Sequence, residues 1–268
     1  MSDSPTKILD GIDAVIDRHF FSDKDIALGH SHVQKRSCNA FSKNAPKSFD
    51  GTALITAMYD HIENNLAKRP DGGTPSPKNW HLRSTGDHHR ISPSSNNESA
   101  EVKLERAIVQ EWHANWSYQM PVASGLFGGH SDKRRAVDLV FDHGDGHYDL
   151  VELKIKSDTP LYAAIEILGY GLIYLASRTD RAESLKYKAV DRPVLAANSI
   201  TLCVLAPKCY YADSNLMWLQ VAINDGLKRF STPELKMDFR FEKFGGTWCD
   251  DLPHKALPET LVREPVWQ

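Results

Sequence analysis

RRAVDLVFDHGDGHYDLVELKIK, residues 134–156, decides how this chain is read. Two runs rich in Val, Leu and Ile flank HGDGH, a glycine-containing turn signal, so the stretch predicts a β-hairpin. Side chains alternate between the faces of a strand. Asp138 therefore shares a face with Ala136 and Val140, and Glu152 shares one with Lys154. With the turn centred on Asp145, Asp138 opposes Glu152 and Ala136 opposes Lys154. Like charges set opposite each other destabilise a sheet, so the two acids ask for a shared cation.

The chemistry open to such a pair is specific. Two carboxylates with free coordination positions suit Mg²⁺, a hard ion that prefers oxygen ligands and keeps several waters. The backbone carbonyl of Leu153 is a natural further ligand. The ion polarises a phosphodiester and acidifies a water. Lys154 would orient that water or neutralise charge growing on the phosphoryl oxygens. The plain alternative is a solvated hairpin face, with cross-strand pairs worth about 0.2–1 kcal/mol. Against it stand the apolar remainder of both strands and the strongly apolar run TPLYAAIEILGYGLIYLASR that follows at 159–178.

Outward from the hairpin, a helix is predicted from near Ser99 through AEVKLERAIVQEWHANW, with Ser99 as N-cap. SYQMPVAS then predicts a strand. Residues 159–178 predict a buried helix, SITLCVLAP (199–207) a central strand, 214–230 a helix, and KMDFRFEKF (236–244) an alternating strand. This order implies an α/β domain, bordering on α+β, with helices over a mixed sheet. Upstream, 8–18 predicts a short helix interrupted by Gly11, and 51–69 a longer one with apolar residues at helical spacing. Residues 1–98 read as a helical, irregular N-terminal extension or subdomain, 99–250 as the core, and 251–268 as a proline-rich surface tail.

Asp138 followed by Glu152-Leu153-Lys154 resembles the signature of the PD-(D/E)XK nuclease superfamily, the restriction-endonuclease-like fold. The element order from helix 99 onward is similar to its core. The resemblance implies that Asp138 and Glu152 bind Mg²⁺ or Mn²⁺ and that Lys154 assists attack by water. It also implies an acid from the preceding helix, best matched by Glu105, with Glu101 one turn away as the alternative. Some branches carry Gln-x-x-x-Tyr on the next helix. This chain has Glu166-Ile-Leu-Gly-Tyr170 there, with Glu for Gln, and Val137 where Pro is usual. Phosphate contacts are expected from Lys133, Arg134 and Arg135 at the strand start and from Lys156.

Composition bounds the partner. The 268 residues carry a formal net charge of -3, so DNA would be held by a local basic patch or bound cations rather than by a polycationic surface. Four widely spaced cysteines with no CxxC exclude a zinc knuckle of the usual spacing. No leader pattern and no run of transmembrane length stand in the sequence, which predicts a cytoplasmic protein without a membrane partner. His30/His32, His88/His89, His130, His143 and His147 read as surface or loop residues; His88, His89, Arg83 and Arg90 could touch phosphates. The expected function is metal-dependent hydrolysis of DNA, with RNA and a homodimer both permitted. Its rival is a catalytically inactive DNA-binding or assembly protein on the same fold.

Overall fold

The hairpin consists of β2 (Ala136–Asp142) and β3 (His147–Leu153), antiparallel in a register running from Leu139↔Val151 to Asp142↔Tyr148. Its turn is closed by the His143 N–H on the His147 carbonyl at 3.0 Å. Gly144 and Gly146 sit at φ 80° and 82°, a left-handed conformation that glycine adopts without a Cβ clash. In the computed structural model the described residues are 5–21, 41–69, 76, 78–82, 99–111, 114–126, 135–178, 192–245 and 262–267.

Around this hairpin a six-stranded mixed sheet runs in sequence order, β1 (Trp116–Pro121) to β6 (Arg263–Pro265). β1 pairs antiparallel with β2, and β2 antiparallel with β3. β4 (Ser199–Ala206) and β5 (Lys236–Phe244) add parallel to β3, and β6 closes the edge antiparallel. Two connections between parallel strands need crossovers. They are α4 (Pro160–Arg178) and α5 (Met217–Leu227). α4 begins at a Thr159 cap, whose hydroxyl accepts from the Tyr162 N–H, followed by Pro160.

The faces of the sheet carry different layers. Val140, Leu150, Leu202 and Phe239 pack in one cluster with α1 (Ile12–Phe20), α2 (Gly51–Leu66), α4 and α5. Leu139, Val151, Cys203 and Leu205 pack on the other side against Leu104, Ile108 and Val109 of α3 (Ala100–Glu111). α2 and α5 approach closely at glycines. A Cβ at Gly226 would lie 2.9 Å from the Gly51 carbonyl oxygen and 2.6 Å from Ile55 Cδ1. The architecture is thus α/β, a mixed sheet flanked by helices.

Three stretches differ from the sequence reading. Gly11, at φ 80°, does not interrupt the first helix but precedes it, so α1 starts at Ile12 rather than residue 8. α1, α2 and Trp80, within the stretch read as an extension or subdomain, share one hydrophobic cluster with the sheet. The tail read as surface covering contributes β6, paired to β5 from Glu242↔Pro265 to Phe244↔Arg263. α4 alone, among the described helices, is long and apolar enough to cross a membrane. Its apolar window is 89% buried within the protein, the condition of a core helix.

Candidate functional site

Asp138 stands one residue beyond the last β2–β3 ladder pair, and its side chain takes over there: Oδ2 accepts the Leu153 N–H at 3.0 Å. Glu152 is the penultimate residue of β3 and is buried, as is Lys154 just past the strand end. The Lys154 N–H continues the parallel ladder to the Leu205 carbonyl. Being two residues apart, Glu152 and Lys154 share a face, and it is the face covered by α4. The ammonium lies 2.7 Å from Glu152 Oε1, 3.4 Å from Glu166 Oε2 and 3.5 Å from Asp158 Oδ2. One turn along α4 from Glu166, the Tyr170 hydroxyl donates to Glu166 Oε1 at 3.2 Å.

α3 supplies two further acids. Glu105, buried, accepts from Gln119 Nε2 at 2.9 Å, and the same amide nitrogen is 3.4 Å from Asp138 Oδ1. Gln119 thereby ties Glu105 to Asp138. Glu101 lies nearer the strand end, where its Oε1 accepts from the Ile155 N–H (3.1 Å) and the Ser157 hydroxyl (2.6 Å). Sequence reasoning missed Gln119 and Asp158. Both have positive φ, 49° and 65°, uncommon for non-glycine residues, and pattern alone gives no sign of it.

Burial and mutual repulsion set the ionisation of the cluster. Asp138 is pushed up to about 6, chiefly by burial, with Lys154 and the Leu153 N–H pulling the other way. Glu152 is raised well above the usual carboxylate range by burial, then by Asp138 and Glu166. Burial disfavours the Lys154 ammonium, but Glu152 and Glu166 outweigh it and hold the proton more tightly than usual. Burial and the charges of Glu166 and Glu152 keep the Tyr170 phenol protonated, against an opposing pull from Arg135, which donates to it. Glu152 Oε2 is buried and has no hydrogen-bond partner among the described residues. An orphaned carboxylate oxygen beside a second carboxylate is a donor set that fits an oxygen-preferring divalent ion.

Of the expected phosphate contacts, Lys133 and Arg134 lie outside the described residues. Arg135 lines a cavity of about 190 Å³ with Tyr162, Glu166, Gly169 and the residues around Gly11. Lys156 is exposed beside the cluster. His30, His32, His88, His89 and His130, with Arg83 and Arg90, also lie outside the described residues.

A second group was not anticipated as a unit. His143, His147 and Asp149 place one ligand atom each within 4.8 Å of one another and could hold a divalent metal. Asp149 points to the sheet face opposite Glu152, since the two differ by an odd number of positions on β3. Asp149 Oδ2 meets Arg263 Nη1 at 2.7 Å, Arg240 Nη2 at 3.0 Å and His143 Nε2 at 3.1 Å. Burial raises its pKa, but Arg263, Arg240 and His143 together bring it below the usual value. Both arginines also contact Glu242, which accepts from the Cys203 thiol. The two imidazoles stack, with centroids 4.1 Å apart and planes 8° from parallel.

Comparison with known protein families, with curated proteins and with solved structures finds no match for this chain. A mixed sheet flanked by helices and a His-His-Asp cluster are consistent with a generic α/β nuclease-like fold.

Proposed function

We propose that this chain is a metal-dependent nuclease that hydrolyses a phosphodiester of DNA at the Asp138–Glu152–Lys154 cluster. The observation that carries the reading is Glu152: a buried carboxylate with one oxygen on the Lys154 ammonium and the other without a partner among the described residues. A buried unsatisfied oxygen costs about 1–3 kcal/mol, more when charged, and that cost is removed by a cation. Asp138, Glu152 and the Leu153 carbonyl would hold Mg²⁺ or Mn²⁺, with Glu105 joined to them through Gln119.

A divalent ion bound there supplies polarisation of the phosphodiester and an acidified water. The protein supplies the rest. Lys154 stays charged and can neutralise charge developing on a phosphoryl oxygen. Glu166 and Asp158 fix the direction of that ammonium, and Tyr170 fixes Glu166 in turn. Asp138 is oriented by the Leu153 N–H, so its second oxygen is left toward Gln119. Lys156 and Arg135 would meet the phosphates that flank the scissile one.

The His143–His147–Asp149 group is the less favourable place for the reaction. Two guanidiniums already lie on the Asp149 carboxylate, and their charge opposes a bound cation. The test is a cleavage assay on linear, circular and single-stranded DNA and on RNA, with and without Mg²⁺ or Mn²⁺. Cleavage dependent on the ion supports the reading. A protein that binds the ion and DNA yet cuts no form favours an inactive binding protein on this fold.

A further inference from the structure

β4 ends at Ala206, and the chain then turns through a short 3-10 helix, Lys208–Tyr211. β4 pairs with β3 through Glu152↔Val204 and Leu153↔Leu205, and the Lys154 N–H extends that ladder. The 3-10 turn is therefore delivered next to the end of β3, where the acidic cluster stands. Its two tyrosines have different fates. The Tyr211 hydroxyl donates into the main-chain carbonyls of Val204 and Glu242, both at 2.9 Å, which anchors the turn. Tyr210 packs edge-on against Tyr211, centroids 5.3 Å apart, yet its own hydroxyl is buried and has no partner among the described residues. Burial is the main reason its proton is held more tightly than usual. Lys154 opposes that effect, and the charges of Asp158, Glu101 and Glu152 add to it.

A phosphodiester entering this cluster is an anion among carboxylates and needs donors. The donors nearby are largely committed. The Lys154 ammonium faces Glu152, Glu166 and Asp158. The Tyr170 hydroxyl is on Glu166, the Gln119 amide on Glu105, and the Ser157 hydroxyl on Glu101. The Tyr210 O–H, carried by the turn that follows β4 next to the end of β3, has no acceptor among the described residues. We propose that the Tyr210 hydroxyl is the donor that receives a non-bridging oxygen of the substrate phosphate in this site, a role that rests on the nuclease reading. Leaving that hydroxyl unsatisfied in the free protein is unfavourable, and substrate relieves it.

The test is Tyr210→Phe, which removes one oxygen and keeps the ring. Four measurements are compared with wild type: thermal melting, Mn²⁺ affinity by calorimetry, binding of a short fluorescent DNA oligonucleotide with Ca²⁺ present, and cleavage with Mg²⁺. The expected result is an unchanged or higher melting temperature, unchanged Mn²⁺ affinity, about tenfold weaker oligonucleotide binding and cleavage slowed at least tenfold. A merely structural hydroxyl would lower the melting temperature and leave oligonucleotide binding intact, and that result overturns the proposal. Equal oligonucleotide binding with equal cleavage also overturns it. If wild type does not cut but the tenfold binding difference persists, the phosphate contact stands and the hydrolytic reading falls. If wild type binds no oligonucleotide at all, both fall.

Discussion

Lys154 Nζ and Glu152 Oε1 meet at 2.7 Å in a pair whose side chains are only 8% and 5% exposed. The pair leaves Glu152 Oε2 unengaged among the described residues, so a cation can be added to Glu152 without breaking the ion pair. Truncating one partner of a buried pair leaves the other charge uncompensated, at a cost of about 3–5 kcal/mol. Lys154→Ala should therefore melt well below wild type when metal-free. Mn²⁺ should restore more stability to the variant than to wild type, because it replaces the lost positive charge. Calorimetry should give Mn²⁺ affinity equal to or above wild type, while cleavage is lost. Weaker Mn²⁺ binding in the variant would mean that Lys154 holds the carboxylates in place for the metal.

The acid cluster also sets the pH dependence of the metal-free protein. Asp138, near 6 when folded against 3.8 ordinarily, binds its proton more tightly in the folded state, and Glu152 shifts the same way. Stability therefore rises as pH falls through 6 toward 4. Asp149 has the opposite shift, so its contribution is present above about 3.8 and is lost at lower pH. His19, lowered by burial, opposes the rise around pH 6, but it is one half-buried imidazole against two carboxylates, of which Glu152 is buried and Asp138 half-buried. Melting in chelator should show a maximum near pH 5, and saturating Mn²⁺ should flatten the climb from pH 8. A melting temperature that falls steadily from pH 8 to 5 would contradict the coupling of these two acids.

Asp149 is expected to matter for stability and not for the chemistry. It joins His143, Arg240 and Arg263, and Arg263 belongs to β6. Asp149→Ala should cost about 3 kcal/mol, the low end for a broken buried pair, because Arg240 and Arg263 keep only Glu242 as acid partner, seen as a melting temperature lower by several degrees. His143→Ala with His147→Ala should leave Mg²⁺-dependent cleavage within a few-fold of wild type. Loss of cleavage in that double variant, at a temperature where it is folded, would move the reaction to the other face of the sheet.

Gln119 carries a separate expectation. Its amide bridges buried Glu105 and half-buried Asp138, so Gln119→Ala takes the donor from both acceptors at once. The metal-free protein should lose about 1–3 kcal/mol, and Mn²⁺ affinity should fall because Glu105 is no longer tied to Asp138. An unchanged affinity would show that Glu105 plays no part in holding the ion.

Much of the architecture was legible because it rests on local pattern. β5 coincides with the alternating run 236–244, β4 ends one residue short of the apolar run 199–207, and α4 fills 160–178. The hairpin register followed from the turn chemistry of HGDGH. What pattern could not supply was long-range pairing. β6 is three residues long with a proline in it, too short for any period to show. The partners of Asp149 arrive from β5 and β6, some ninety and more positions away, so a lone acid in a strand gave no sign of an ion-pair network. Gln119 and Tyr210 are ordinary residues in sequence, and only the packing of α3 and the turn after β4 brings them to the acids.

The sharpest test of the site is Asp138→Asn, because it sets stability against function. The amide oxygen of Asn can still accept the Leu153 N–H that Asp138 Oδ2 accepts now at 3.0 Å. The variant removes a half-buried negative charge that repels Glu152 and whose ionised form desolvation disfavours. Metal-free Asp138→Asn should thus melt above wild type at pH 8, where the wild-type carboxylate is ionised, and the gap should close toward pH 5. The same loss of charge removes half of the carboxylate pair that would hold the ion. Mn²⁺ should then give little or no increase in melting temperature, and cleavage should fall below detection. A variant that melts higher but still binds Mn²⁺ and cuts DNA would leave Asp138 as a strained structural acid and place the metal elsewhere. A variant that melts lower would mean that the Asp138 charge is compensated in the folded protein and that the cluster needs no cation to relieve it.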